Sequence, residues 1–311
     1  MWLFGGRGAA AEVAVSPKVA YPTVNAAGEE LPWTQEELHA FYVTRDLLLS
    51  SSGPYKLPVE KLSVRNLMLA TLNCKCRPPK AAKKYSLWLK ALETFGISSF
   101  DSILSEVGVT GDGGGSEEGW ELLKPMLTAF AGCGLDKQNR SIMWIRARPT
   151  LIEEEQHSVR ASSLYFTAIH ADLTSIRQGI TFVLDISSPD SLAKKIGNED
   201  KLQRYYQSMP LRPQTIYFVG ATAWKRILVN AIISLASVFT SEKVIDRVRF
   251  AELDEVKTKI DDASIPCYMG GHCQLDTNDK VWAWMRERLK SFPPLPDLFV
   301  GGATAEDVNR A

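Results

Sequence analysis

The stretch Ile180-Thr181-Phe182-Val183-Leu184 decides the fold. It is short and apolar and lacks the alternation of a half-exposed strand, which is typical of a parallel strand covered on both faces. A second stretch of this kind spans residues 215–219, and further strands are predicted at residues 141–147 and 246–251. Because helical patterns separate these strands, the sequence predicts an α/β body with a largely parallel sheet.

An all-helical segment precedes this body. Thr34-Gln35-Glu36-Glu37 is a capping box that predicts a helix through residue 49. Pro78-Pro79 opens another helix over residues 80–95. The glycine-rich stretch at residues 111–116 reads as a linker between this segment and the body. The other predicted helices span residues 64–72, 100–107, 117–130, 152–177, 191–206, 254–260 and 279–289.

These patterns divide the chain into four parts. We expect a flexible lead-in at residues 1–31 and a helical module at residues 32–110. The α/β body is expected at residues 117–275, followed by a C-terminal helix and mobile tail at residues 276–311.

Composition narrows the class of protein. The 36 basic and 36 acidic residues give zero net charge, which argues against a bulk nucleic-acid binder. Five cysteines in 311 residues fit a reducing compartment better than a disulfide framework. No apolar run is long enough for a signal peptide or a membrane span. We therefore expect a cytoplasmic monomer whose contact with membranes is transient and peripheral.

Motifs for catalysis are missing from the sequence. It has no Gly-x-Ser-x-Gly elbow, no phosphate-binding loop and no His-Glu-x-x-His pair. Cys267, His272 and Cys273 form a single loose group, whereas zinc sites usually require two Cys/His pairs. The prediction is a protein that is not an enzyme and that uses neither a metal nor a cofactor.

Residues 227–239 form the most unusual segment. It carries no charge, and its polar residues Asn230, Ser234 and Ser237 fall on one thin helical stripe. One interpretation is a buried core helix. The other is a helix that closes an apolar cavity and touches a membrane when it opens, since it is too short to span a bilayer. Its apolar face includes Leu228, Ile232 and Leu235.

Four motifs, taken in order, give the chain a family resemblance. Residues 80–88, 134–142 and 179–185, together with the Ile-Pro-Cys-Tyr-Met-Gly-Gly stretch at residues 265–271, resemble the CRAL-TRIO lipid-binding family. The resemblance implies a helical module followed by a five-stranded sheet flanked by helices around an apolar pocket. It also implies binding of a single lipid, its transfer or presentation between membranes, and a gate helix at residues 227–239.

The same resemblance implies which side chains line the pocket, although plain core packing is the alternative for each of them. Besides Leu228, Ile232 and Leu235 of the gate, the implied lining residues are Val159, Ser162, Phe166, Ile180, Phe182, Leu184, Tyr205, Met209 and Ile216.

The headgroup site departs from the pattern of the phosphatidylinositol-binding members. Those members carry Tyr-Pro-Glu where this chain has Met209-Pro210-Leu211, so a carboxylate is missing. Arg247 matches a basic residue of that subgroup, and Lys75 and Arg77 lie near another basic position. The expected ligand is therefore a phospholipid or an isoprenoid-type lipid.

Two functions from different classes follow. The first is a carrier that binds one lipid in an enclosed pocket. The second is a non-catalytic interaction scaffold with a vestigial pocket, which docks a partner through the helical module or through the proline-rich residues 293–296.

Overall fold

The computed structural model describes residues 20–108, 117–132, 134–146, 155–187, 199–222 and 246–298. Within these ranges the chain forms ten α-helices, several short 3-10 helices and one five-stranded sheet. The strands are β1 (Phe130–Ala131), β2 (Ile142–Arg146), β3 (Ile180–Asp185), β4 (Pro213–Val219) and β5 (Val248–Ala251). They lie in the order β1-β2-β3-β4-β5, with β1 antiparallel to β2 and the others parallel. The predicted α/β class with a largely parallel five-stranded sheet is confirmed.

Four helices come first, as predicted: α1 (Gln35–Leu49), α2 (Val64–Asn73), α3 (Pro78–Glu93) and α4 (Phe100–Glu106). The capping box of α1 is complete, since Thr34 Oγ1 accepts from the Glu37 amide and the Glu37 carboxylate accepts from the Thr34 amide. Pro78 and Pro79 occupy the first turn of α3, where a missing N–H costs nothing.

The predicted helix at residues 117–130 is shorter than expected. It ends as α5 (Glu117–Leu123), and a 3-10 helix over Lys124–Ala129 leads into β1. Pro125 has no N–H to continue the α-helical ladder, which accounts for the change.

The predicted helix at residues 152–177 is divided into α6 (Glu155–Ile169) and α7 (Leu173–Gln178). The break is built from polar groups. Asp172 caps α7 by accepting from the Ser175 amide at 2.7 Å, and Arg288 donates both to Asp172 and to the Ala168 carbonyl that ends α6. The remaining helices are α8 (Glu199–Ser208), α9 (Leu253–Lys257) and α10 (Asn278–Lys290).

Both ends of the described chain pack on α1. Tyr21, in the stretch predicted as a lead-in, stacks on Tyr42 with ring centroids 4.8 Å apart. At the other end the indole N–H of Trp33 donates to the Pro294 carbonyl at 2.8 Å, and Arg45 donates to the Leu298 carbonyl at 2.7 Å. The stretch predicted as a mobile tail is thus tied to α1 as far as Leu298.

The helical module and the body share one core. Trp88 of α3 meets Phe166 of α6 edge to face at 5.3 Å, and it lies 3.8 Å from the ring of Phe100 in α4. The same buried cluster extends to Met143 and Ile180 of the sheet. The glycine-rich linker therefore does not separate two independent cores.

One face of the sheet, here called the covered face, is sealed by the chain that follows β5. Gly271 permits the close approach, since a Cβ there would lie 2.1 Å from the Ile265 carbonyl oxygen. The motif predicted at residues 265–271 thus has a packing role. The covered face consists of Ile142, Trp144, Val183, Tyr217, Val219 and Ala251, and it packs against Val256, Ile260, Ile265 and Cys273.

Candidate functional site

The opposite side of β3, β4 and β5 carries two rows of apolar side chains. Strand register aligns Phe182 with Ile216 and Val248 in the first row, and Leu184 with Phe218 and Phe250 in the second. We call these six residues the open face. Four of them keep contact with solvent in the structure, namely Phe182, Leu184, Val248 and Phe250, whereas Ile216 and Phe218 are buried. The predicted lining residues Phe182, Leu184 and Ile216 are therefore brought together on one surface.

The gate residues Leu228, Ile232 and Leu235 lie outside the described residues. Ile180, at the amino end of β3, is fully buried in the core that the sheet shares with α6. It lies beside the open face and is not part of it.

The predicted lining residues on α6 and α8 pack against each other in a buried cluster that Phe182 of the open face also contacts. Tyr205 Oη lies 3.0 Å from Ser162 Oγ and 2.7 Å from Ser163 Oγ, and its burial raises the pKa of the phenol. Val159, Phe166 and Met209 belong to the same buried cluster as the helical module. In the structure these three side chains are core residues.

The space near these residues is small. A crevice of about 10 Å³ between the helical module and α6 is lined by Asn66, Phe100, Ser163 and Thr167, among others. That volume is at the lower limit for one water molecule, and it is far below the several hundred Å³ of a ligand pocket. This crevice therefore has no room for a lipid tail.

Two arginines approach one another at the amino ends of β4 and β5. Arg247 donates to the Pro213 carbonyl at 2.6 Å, and Arg212 donates to the Arg177 carbonyl. Burial lowers the pKa of Arg212, and the charge of Arg247 lowers it further. In the described part of the chain the Arg212 Nε is buried without a hydrogen-bond partner. The pair is therefore a local concentration of positive charge.

The turn between α2 and α3 lies close to this pair. Cys76 in the turn has its pKa raised to about 11, first by burial and next by Glu37 and Glu36, while Arg212 and Arg177 act in the opposite direction. The turn also carries the exposed side chains of Lys75 and Arg77. The predicted headgroup residues thus come from the turn between α2 and α3 and from the position just before β5. Sequence reasoning missed Arg212, which no motif marks.

Asp185, at the carboxyl end of β3, has a structural role. Its carboxylate accepts from the Ser187 amide at 2.9 Å and from Ser187 Oγ at 2.6 Å, and Arg146 lies 3.8 Å away. Gly220 packs on the same turn, since a Cβ there would lie 2.6 Å from the Ser187 Cβ. The aspartate therefore stabilises the turn that follows β3.

In the part of the chain that the structure describes, no three His, Cys, Asp or Glu side chains converge as a metal-binding group. Among the described helices, none combines the length and apolar character needed to cross a bilayer. A comparison of the sequence with protein-family models and with curated proteins finds no match.

Proposed function

We propose that this protein binds a single hydrophobic lipid against the open face and transfers or presents it between membranes. The observation that carries the proposal is the double row of apolar side chains across β3, β4 and β5. Isolated exposed apolar residues are ordinary on protein surfaces, whereas a contiguous apolar surface indicates a binding site.

The dimensions of the open face suit a lipid tail. Neighbouring strands lie about 4.8 Å apart, so three strands present an apolar width of about 10 Å. Burial of an acyl or isoprenoid chain contributes about 0.8 kcal/mol for each CH₂ removed from water. A tail that covers both rows therefore gains several kcal/mol without any catalytic group.

The charges beside the open face favour a phospholipid over an uncharged isoprenoid. Arg247 directly precedes Val248 of the first row, and Arg212 lies next to it. Two neighbouring guanidinium groups suit a phosphate, which they bind through paired N–H donors. Leu211 occupies the position at which the phosphatidylinositol-binding pattern has glutamate, so the proposal does not extend to the inositol ring.

In this proposal the gate is the helix predicted at residues 227–239, which lies outside the described residues. The protein is expected to be a cytoplasmic monomer that meets membranes transiently.

Native mass spectrometry of the protein from a eukaryotic host tests the proposal. The wild type is expected to carry one co-purified lipid. Leu184→Asn places an amide in the second row and should weaken retention tenfold or more, given about 1.5–3 kcal/mol for a buried leucine. The matched control is Leu122→Asn, because Leu122 is 57% exposed on α5. Its lipid content should equal that of the wild type.

Two results contradict the proposal. One is a well-folded wild type that is repeatedly empty and takes up no lipid from vesicles. The other is equal lipid content in the wild type and Leu184→Asn. Either result would favour the interaction scaffold, in which the open face is vestigial.

A further inference from the structure

Helix α3 presents a basic stripe to solvent. Lys80, Lys83, Leu87 and Lys90 are separated by three or four residues, so they lie on one helical face, and all four are exposed. We call them the lysine stripe. The opposite side of the helix, which includes Tyr85, Trp88, Leu89 and Leu92, is fully buried in the core.

The lysines of the stripe are not neutralised by the protein. Lys80, Lys83 and Lys90 form no ion pair with any residue in the described ranges. Glu93, the single acidic residue of α3, is paired with Lys61. The positive charge of the stripe is therefore available to an external anion.

Two apolar groups lie within this basic surface. Leu87, in the middle of the stripe, is 46% exposed. Helix α8 packs beside α3, and Lys84 of α3 donates to the Gln207 carbonyl of α8. Tyr206 of α8 is 39% exposed. Arg204 of α8 is exposed as well. The surface thus combines basic side chains with an aliphatic and an aromatic side chain.

We propose that α3 and α8 form the surface through which the protein docks on an anionic membrane. Each lysine near such a membrane contributes about 1 kcal/mol, and Leu87 enters the interfacial region between the headgroups. Arg77, just before α3, extends the positive charge toward Arg212 and Arg247. The inference rests on the proposed lipid binding, because it places the membrane beside the headgroup site.

A nucleic acid is the other anionic partner that a basic surface can bind. The exposed leucine at the centre of the stripe argues for a membrane, since backbone phosphates offer it no apolar contact. A membrane interface accepts such a side chain between its acyl chains.

Vesicle co-sedimentation of the full chain tests the inference, with phosphatidylcholine vesicles that contain or lack phosphatidylserine. The wild type should bind the anionic vesicles and release them at high salt. The double variant Lys80→Glu with Lys83→Glu should partition roughly thirty-fold more weakly, from about 1 kcal/mol for each lysine. Leu87→Ser should weaken binding several-fold at every salt concentration. The matched control, Lys259→Glu with Arg286→Glu, makes the same change in net charge at exposed positions elsewhere and should bind like the wild type.

Three outcomes overturn the inference: no preference of the wild type for anionic vesicles, equal losses in the lysine variant and its control, or a lysine variant that loses binding to RNA but not to vesicles. Native mass spectrometry of the same samples separates this inference from the proposed function. A wild type that carries lipid but ignores vesicles refutes only the docking surface. A protein that binds anionic vesicles through the stripe but never carries lipid refutes only the carrier.

Discussion

The two faces of the sheet are built from alternate residues of the same strands, yet they differ in burial. On β3, Val183 is fully buried on the covered face, whereas its neighbour Leu184 on the open face is only half-buried. On β2, Trp144 is fully buried under the chain that follows β5. On β5, Phe250 of the open face keeps contact with solvent.

The difference separates apolar residues that the protein itself buries from those that the proposed lipid would cover. Backbone contacts as well as side chains hold the chain that packs on the covered face. Pro266 and Cys273 form an isolated β-bridge, and the Cys267 amide donates to the Cys273 carbonyl at 3.0 Å. All six residues of the covered face are buried. The open face holds side chains of the same kind whose burial is incomplete, which is the state expected of a surface that takes up a ligand.

The largest expected effect comes from a matched pair of aromatic substitutions. Trp144→Ala on the covered face should lower the free energy of unfolding by about 3–5 kcal/mol, because it removes a large buried side chain. Phe250→Ala on the open face should cost about 1–2 kcal/mol in the lipid-free protein. Urea denaturation followed by circular dichroism measures both. Equal losses of unfolding free energy in the two variants would show that the open face is packed as tightly as the covered face.

The strands and the helix caps could be predicted because their signals are local. The uncharged run at residues 180–184 and the capping box at Thr34 depend only on neighbours in sequence. The break between α6 and α7 was missed, since it depends on Arg288, which lies 116 residues after Asp172. Strand β1 was missed for the same reason, because its two residues pair with β2 across a turn.

For the candidate site, the family resemblance named Phe182, Leu184 and Ile216 as lining residues, and the strand register places these three on one side of the sheet. The sequence alone could not show that Phe166 of α6 meets Trp88 of the helical module, or that Ser162 meets Tyr205 of α8, since an amphipathic helix between two layers has apolar residues on both sides. The proximity of Arg212 to Arg247 also depends on strand order, which no local pattern contains.

A smaller effect on stability is expected at the edge strand β1, where Tyr165 of α6 contacts the sheet. The hydroxyl of Tyr165 accepts from the Trp144 amide at 3.0 Å and reaches the Ala131 carbonyl at 2.8 Å, so it joins β2 to β1. Tyr165→Phe leaves these buried backbone groups without their partner and should destabilise the protein by about 2–3 kcal/mol. Hydrogen exchange should show faster exchange of the Trp144 amide. If the amide of Trp144 is as well protected in Tyr165→Phe as in the wild type, the Tyr165 hydroxyl does not stabilise the pairing of β1 with β2.

The smallest predicted effect comes from His170, the residue after α6. The imidazole is fully buried, and its Nδ1–H donates to the Phe166 carbonyl at 2.8 Å. Burial lowers its pKa from the usual 6.5 to about 4, against the opposing influence of that carbonyl and of Asp172, while Arg288 lowers it further. The folded protein therefore holds the histidine neutral while the unfolded chain takes up a proton.

A folded-state pKa below the unfolded value means that stability is complete above pH 6.5 and decreases as the pH falls toward 4. The slope should be about 1.4 kcal/mol per pH unit, or about 2 kcal/mol between pH 6.5 and about pH 5. Glu37, Asp136 and Asp172 also have lowered pKa values, but they lose their contribution at lower pH, where carboxylates titrate. His170→Asn preserves a donor toward Phe166 and should remove the slope in this window. Urea denaturation at several pH values measures this slope, and an unchanged slope in His170→Asn would mean that a group other than His170 causes it.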